Sequence, residues 1–179
     1  MAKGKFDMSE FLTPVEGVPE SDTTREIAVN DILDNPLNFY PRPDNEKLAE
    51  LMESIQANGM LEPPTVVPAE NGKYRLISGH SRMNAVRLLA SYKDDAVAER
   101  FQRVLCRVMP SMTPEQEECA VIEANRQRVK SPAVLAQEAE RLTQIYIKRR
   151  EAGEELPGRI RDRVAEAMQV NKTKLANLS

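Results

Sequence analysis

Between residues 45 and 58 the apolar side chains fall at Leu48, Leu51, Met52 and Ile55. This is the three- and four-residue spacing of a helix with one buried face, and Asn58-Gly59 supplies a left-handed stop. The period then changes. Pro64-Thr65-Val66-Val67-Pro68 reads as a strand, Glu70-Asn71-Gly72-Lys73 as a hairpin turn, and Tyr74 to Ser78 as the returning strand. Helical spacing resumes over residues 80–92, with Met83, Val86, Leu89 and Ala90 on the buried side. After a polar stretch around Asp94 and Asp95, Val104 to Met109 reads as a further strand, which closes a small α/β unit.

The remainder reads as helix. Thr113-Pro114-Glu115 is a helix start, running through Cys119, Ala120 and Ile122 to about Gln127, and Ser131-Pro132 opens a longer helix to about Glu151. Ile160, Val164, Ala165 and Met168 carry helical spacing from Arg159 to Met168. A short turn at Gln169-Val170-Asn171 and a second helix from Lys172 to Leu178 then complete the shape of a helix-turn-helix. The chain stops about two turns into that last helix, as a truncated piece of a longer protein would.

At the other end, residues 1–24 mix Gly4, Pro14, Gly17 and Pro19 with acidic residues without periodicity, and are expected to be a disordered leader. Glu26 to Val29 is a short apolar segment, Asn30 to Pro36 a turn, and Pro41 and Pro43 stiffen the chain around Arg42. The expected organisation is a leader at 1–24, an α/β domain at 25–128 and a helical region at 129–179.

Composition narrows the chemistry. Charged residues make up 30% and hydrophobic residues 41% of the 179, an ordinary globular balance. No apolar run approaches the roughly 18 to 20 residues of a membrane span, and the start lacks the apolar core of a secretory signal, so a cytoplasmic protein without membrane contact is expected. Cys106 and Cys119 have no metal-type spacing and read as buried reduced thiols. With His80 as the one histidine, there is no His-Asp-Ser set and no His-rich metal site to propose. The net charge of −3 is unevenly placed: residues 126–179 hold 12 Lys and Arg against 7 Asp and Glu. That basic third suits nucleic acid, although amphipathic helices also carry solvated cations.

The most informative junction is Leu76-Ile77-Ser78-Gly79-His80-Ser81-Arg82, where a strand meets a glycine and then a helix start. Unpaired backbone N–H groups and a partial positive charge make such a corner a seat for a phosphate, with an ordinary chain turn as the bland alternative. The corner holding Gly79 and Arg82 is expected to be an open positive pocket.

Five segments in order resemble the boxes of ParB-type partition proteins: Asn35-Pro36 with Pro41-Arg42; the helix from Leu48 to Ile55; Asn58 to Pro64; Leu76 to Ala85; and Ile122-Glu123-Ala124-Asn125-Arg126-Gln127-Arg128. The resemblance implies an α+β ParB/sulfiredoxin-like N-terminal domain followed by an all-α helix-turn-helix region. It implies a nucleotide, CTP with Mg2+, whose phosphates are cradled by Gly79, His80, Ser81 and Arg82 and bordered by the loop carrying Glu62. Arg42, Asn125, Gln127 and Arg128 are implied to help hold the phosphates, and Glu123 and Asn125 the metal. Lys172, Thr173 and Lys174 would meet DNA phosphates or bases. Each role has a plainer alternative: a surface cation for Arg42, a helix-start side chain for His80, a polar helix end for Asn125 to Arg128, solvated lysines for the last helix.

The chain departs from the family pattern in places. The usual Gly-Glu-Arg-Arg-x-Arg-Ala is here Gly79-His80-Ser81-Arg82-Met83-Asn84-Ala85, the usual Gln-Pro is Glu62-Pro63, and the acid expected before Asn125 is Ala124 with Glu123 one residue away. An acidic Glu62 repels a triphosphate unless a metal or Arg42 intervenes. Ser81 stands where related redox enzymes of this fold carry a reactive cysteine, which argues against redox chemistry. The expected function is a DNA-binding partition protein of a chromosome, plasmid or mobile element, a nucleotide-gated clamp that forms a homodimer, works with a ParA-like ATPase and associates with the nucleoid or plasmid. The alternative is an enzyme, a CTPase, ParB-like nuclease or phosphotransferase, with Glu62, Glu123 and Asn125 on a metal and His80 moving a proton.

Overall fold

The computed structural model describes residues 23–170 together with Thr173 and Leu175. Contacts divide the chain into two units, one ending at Val121 and the other beginning at Ile122.

The first unit is built on a five-stranded sheet: β1 (Thr23–Ala28), β2 (Ile32–Leu33), β3 (Thr65–Pro68), β4 (Tyr74–Ser78) and β5 (Arg103–Val108). Its strand order is β1-β5-β3-β4-β2. β1 pairs antiparallel with β5, β5 parallel with β3, β3 antiparallel with β4, and β4 parallel with β2. Thr23 and Thr24, expected in the leader, are the first residues of β1, drawn into the sheet opposite Val108 and Arg107. The rest of that leader lies outside the described residues. In the β3–β4 hairpin Asn71 and Gly72 both take positive φ, 56° and 70°, a conformation that Asn-Gly tolerates at low cost.

Against the sheet lie α1 (Asn45–Asn58) and α2 (His80–Ala90), followed by the short α3 (Asp95–Arg100). The core gathers Ile55 from α1, Met83, Val86 and Leu89 from α2, and Ile27, Val66, Leu76, Val104 and Cys106 from the strands. Each such large side chain, fully buried, contributes about 1.5–3 kcal/mol. The expected faces of α1 and α2 are therefore observed. The polar stretch at Asp94 proves to be a helix start, because the Asp94 carboxylate accepts from the amides of Ala96 and Val97.

Strand alternation sends Val67 and Ile77 to the opposite side from Val66 and Leu76, and all four are buried. α4 (Pro114–Ala124) is tied to β4 on Arg75, whose guanidinium donates two 2.8 Å bonds to Glu117. Asn35 adds a 3.2 Å bond to the same carboxylate. Cys106 and Cys119 are buried and joined in no disulfide, as expected, and burial pushes the Cys106 pKa up to about 11.

The second unit contains α5 (Pro132–Glu151) and α6 (Ile160–Ala167). Ser131 caps α5 by accepting from the amide of Val134, with Pro132 in the first turn. Leu142, Ile145 and Tyr146 of α5 and Val164, Ala165 and Ala167 of α6 are buried. α6 closes with Gln169 at φ 55°, the Gln169 amide donating to Glu166 and the Val170 amide to Ala165. This is a Schellman close with glutamine in glycine's usual place. Of the second helix of the expected helix-turn-helix, Thr173 is helical and exposed and Leu175 is buried. Lys172 and Lys174 lie outside the described residues.

Candidate anion site at the start of α2

Ser78 ends β4, Gly79 turns the chain at φ 89°, and His80 begins α2. Two constraints act on Gly79. Positive φ strains any L side chain, and a Cβ added there would sit 2.9 Å from the Cβ of Pro64. The Gly59–Pro64 loop thus packs directly on the corner. No side chain caps the first amides of α2.

Arg82 sits one turn into α2, but it is not a free cation. Its Nη1 donates to the backbone carbonyl of Glu62 and lies 3.0 Å from the Glu62 carboxylate. The expected open positive pocket is therefore covered by Pro64 on one side and neutralised by Glu62 on another. Glu62 poses the electrostatic conflict foreseen from the sequence, and the cation that answers it is Arg82 rather than Arg42.

Arg42 is engaged elsewhere. Its Nη2 donates to Asp34 at 2.6 Å, and the other Asp34 oxygen accepts from Arg87 Nη1 at 2.6 Å. Arg87 Nη2 reaches the Ile32 carbonyl at 2.7 Å. Partial burial works to raise the Asp34 pKa, but hydrogen bonds and charge from Arg87 and Arg42 more than offset it and leave it lowered. His80 feels this cluster. Burial above all, with the charges of Arg42 and Arg87, pushes its pKa down to about 4 against the opposing pull of Asp34, so the ring is neutral at pH 7. Its Nε2 is buried without a hydrogen-bond partner. His80 thus supplies a neutral ring to the corner, not a positive charge. Ser81 and Asn84 are half-buried on the same helix.

Asp34 and Arg87 were missed in the sequence. The available signal was that His80, Asn84 and Arg87 recur at four- and three-residue spacing, which places Arg87 on the helix face that begins at the corner.

The remaining expected ligands belong to the second unit. Beyond Ala124 the chain leaves α4 in tight turns, Asn125 to Ile122, Arg126 to Glu123 and Arg128 to Asn125. Asn125 Oδ1 accepts from Arg128 at 3.4 Å, Gln127 and Arg128 are exposed, and Glu123 is ion-paired with Arg126. Burial, with the nearby charge of Glu138, raises the Glu123 pKa against Arg126 and Lys130. Lys130 and Glu138 form a nearly buried 2.7 Å pair. Among the described residues no three His, Cys, Asp or Glu side chains gather as a metal cage.

The basic character of this unit is partly internal. Arg149 pairs with Glu154, Arg150 donates to the carbonyls of Leu156 and Gly158, and Arg163 donates to that of Pro157. These arginines hold the α5–α6 connection. An open groove of 1020 Å³ beside α5 and α6 is lined by apolar Ala133, Ala136, Ala139, Ile147, Ile160 and Leu175 together with polar Gln137, Glu140, Thr143, Gln144 and Arg161. No described helix is long and apolar enough to cross a membrane.

A family model for the ParB N-terminal domain matches residues 15–124. A protein of Chlamydia trachomatis serovar D described as a probable chromosome-partitioning protein ParB is 32% identical over 167 residues, covering 89% of this chain and 51% of that protein. The chain spans about half the length of the two curated ParB relatives it matches, 46% and 51%. Among solved structures, a pNOB8-like ParB N-domain aligns with a TM-score of 0.61 at 11% identity, covering 88% of this chain and 68% of that one. A C-terminally truncated chromosome-partitioning protein ParB of Caulobacter crescentus, complexed to the centromeric parS site, aligns with a TM-score of 0.52 at 20% identity, covering 86% and 69%. These two likenesses show the α+β fold.

Proposed function

The chain belongs to the ParB N-terminal domain family, and from that premise we propose that it is a DNA-partition protein whose first unit seats the phosphates of a nucleotide, CTP with Mg2+, at the Gly79–Arg82 corner. One observation carries the reading: an uncapped helix start behind a positive-φ glycine, with Arg82 on its first turn and Glu62 already standing on that guanidinium as an internal anion. A site that holds a carboxylate in this way has the chemistry to hold a phosphate oxygen, and forked charge-assisted bonds from arginine favour the phosphate.

In this reading α6 and the following segment with Lys172, Thr173 and Lys174 recognise a DNA site, as the parS complex of the Caulobacter relative suggests by analogy. Asn125, Gln127, Arg128 and Glu123 approach the phosphates and the metal when nucleotide is bound. The protein works as a nucleoid-associated or plasmid-associated homodimer with a ParA-like ATPase, and nucleotide favours one association state over another. Isothermal titration with CTP, ATP and GTP plus magnesium, with and without DNA, tests this. Saturable CTP binding that is lost in Arg82→Ala is the expected result, and CTP binding unchanged in that variant refutes the site.

A further inference from the structure

The loop over the corner is anchored at one end and exposed at its tip. Gly59 begins it at φ 73°, with open space around the position a Cβ would take. Its far end is fixed: Pro64 is buried, and its carbonyl accepts from the Arg107 amide at 2.9 Å. Met60 packs partly on the core, but Leu61 is 88% exposed and the Glu62 side chain 82% exposed. What holds this exposed tip down is Arg82, itself only 22% exposed, gripped by both the carbonyl and the carboxylate of Glu62.

We infer that Glu62 is a tethered competitor for the Arg82 guanidinium, closing the anion seat until a nucleotide's phosphate chain displaces its carboxylate and lifts the 60–63 tip. The inference rests on the nucleotide reading above and goes beyond it in giving the loop acid a gating role. The energetics suit a gate. An ion pair with so exposed an acid is weak, whereas a phosphate offers more charge and forked bonds to the same arginine. Tethering gives the carboxylate an effective concentration of order millimolar, enough to exclude casual anions and too little to resist a polyphosphate.

Glu62→Gln keeps the side-chain volume and the carbonyl contact and removes the charge. Calorimetry on the full chain, as wild type, Glu62→Gln and Arg82→Ala, would use CTP, inorganic pyrophosphate and cytidine as probes, alongside hydrogen exchange of the Met60 to Glu62 amides without ligand. Affinity for CTP and pyrophosphate should rise about fivefold in Glu62→Gln. Cytidine affinity should not change, and the loop amides should exchange faster. Equal CTP affinity in wild type and Glu62→Gln, with binding lost in Arg82→Ala, overturns the gate and leaves the seat standing. A gain for cytidine equal to that for CTP overturns it too, since the effect would not pass through Arg82. No binding of CTP or pyrophosphate by any of the three proteins removes the seat, and the gate with it.

Discussion

Arg75 on β4 grips Glu117 on α4 with two parallel 2.8 Å bonds, although Glu117 is only 3% exposed. A carboxylate taken this far out of water needs its partner, because an unpaired buried charge costs far more than a surface ion pair gains. Glu117→Ala should lower unfolding free energy by about 1–2 kcal/mol, because it leaves buried Asn35 and the partly exposed Arg75 without their acceptor. Glu117→Gln should cost less, since an amide can still accept from one of them. Urea midpoints of both variants check this; equal midpoints for wild type and Glu117→Ala would show that the pair contributes nothing to stability.

His80 makes stability depend on pH in a defined direction. Its native pKa of about 4 lies below the unfolded value of 6.5, so between those values the unfolded chain binds a proton that the native chain refuses. The contribution is fully present above pH 6.5 and is lost as pH falls towards 4. From pH 7.5 to 5.5 this group alone should remove about 1.3 kcal/mol. His80→Gln, which cannot charge, should flatten that part of the profile, as urea titrations at pH 7.5, 6.5 and 5.5 would reveal. A parallel loss in wild type and variant would assign the pH dependence to other groups.

The periodic elements were legible because side-chain spacing encodes them. Leu48, Leu51, Met52 and Ile55 announced α1, and Asn71-Gly72 announced the β3–β4 hairpin. α3 was not, since six residues carry too little periodicity and its signal was the Asp94 cap alone. Polar pairing across the fold was hidden for a different reason. Arg75 and Glu117 lie 42 residues apart and Arg87 and Asp34 lie 53 apart, and no local period relates them. Hence the strand-glycine-helix corner itself was legible from Gly79 and the periodicity of α2, while the hold of Glu62 on Arg82 and the anchoring of Arg42 by Asp34 needed three dimensions.

Gly79 should tolerate no side chain. Gly79→Ala combines strain at φ 89° with a Cβ at 2.9 Å from that of Pro64, so either the chain shifts or the loop is lifted. The expected cost is about 2 kcal/mol. The same push should displace the first amides of α2, so CTP binding should fall as well. Denaturation together with titration separates the two effects. Wild-type stability and CTP affinity in Gly79→Ala would mean that the corner does not need glycine.

DNA contact should distinguish two groups of cations in the helical unit. Arg150 and Arg163 spend their guanidinium groups on carbonyls between α5 and α6, so Arg150→Gln should lower the melting temperature and leave the salt dependence of DNA binding unchanged. Lys172 and Lys174 lie in the segment that should face DNA, and each phosphate contact contributes about −0.9 to the slope of log K against log salt. Lys172→Ala with Lys174→Ala should therefore weaken binding to all sequences and flatten the slope by about 1.8. Thr173, exposed between them, should affect which site is preferred and not the slope. Binding measured on a specific and a scrambled duplex at several salt concentrations checks all three, and an unchanged slope in the double lysine variant would place the DNA-facing surface elsewhere on the chain.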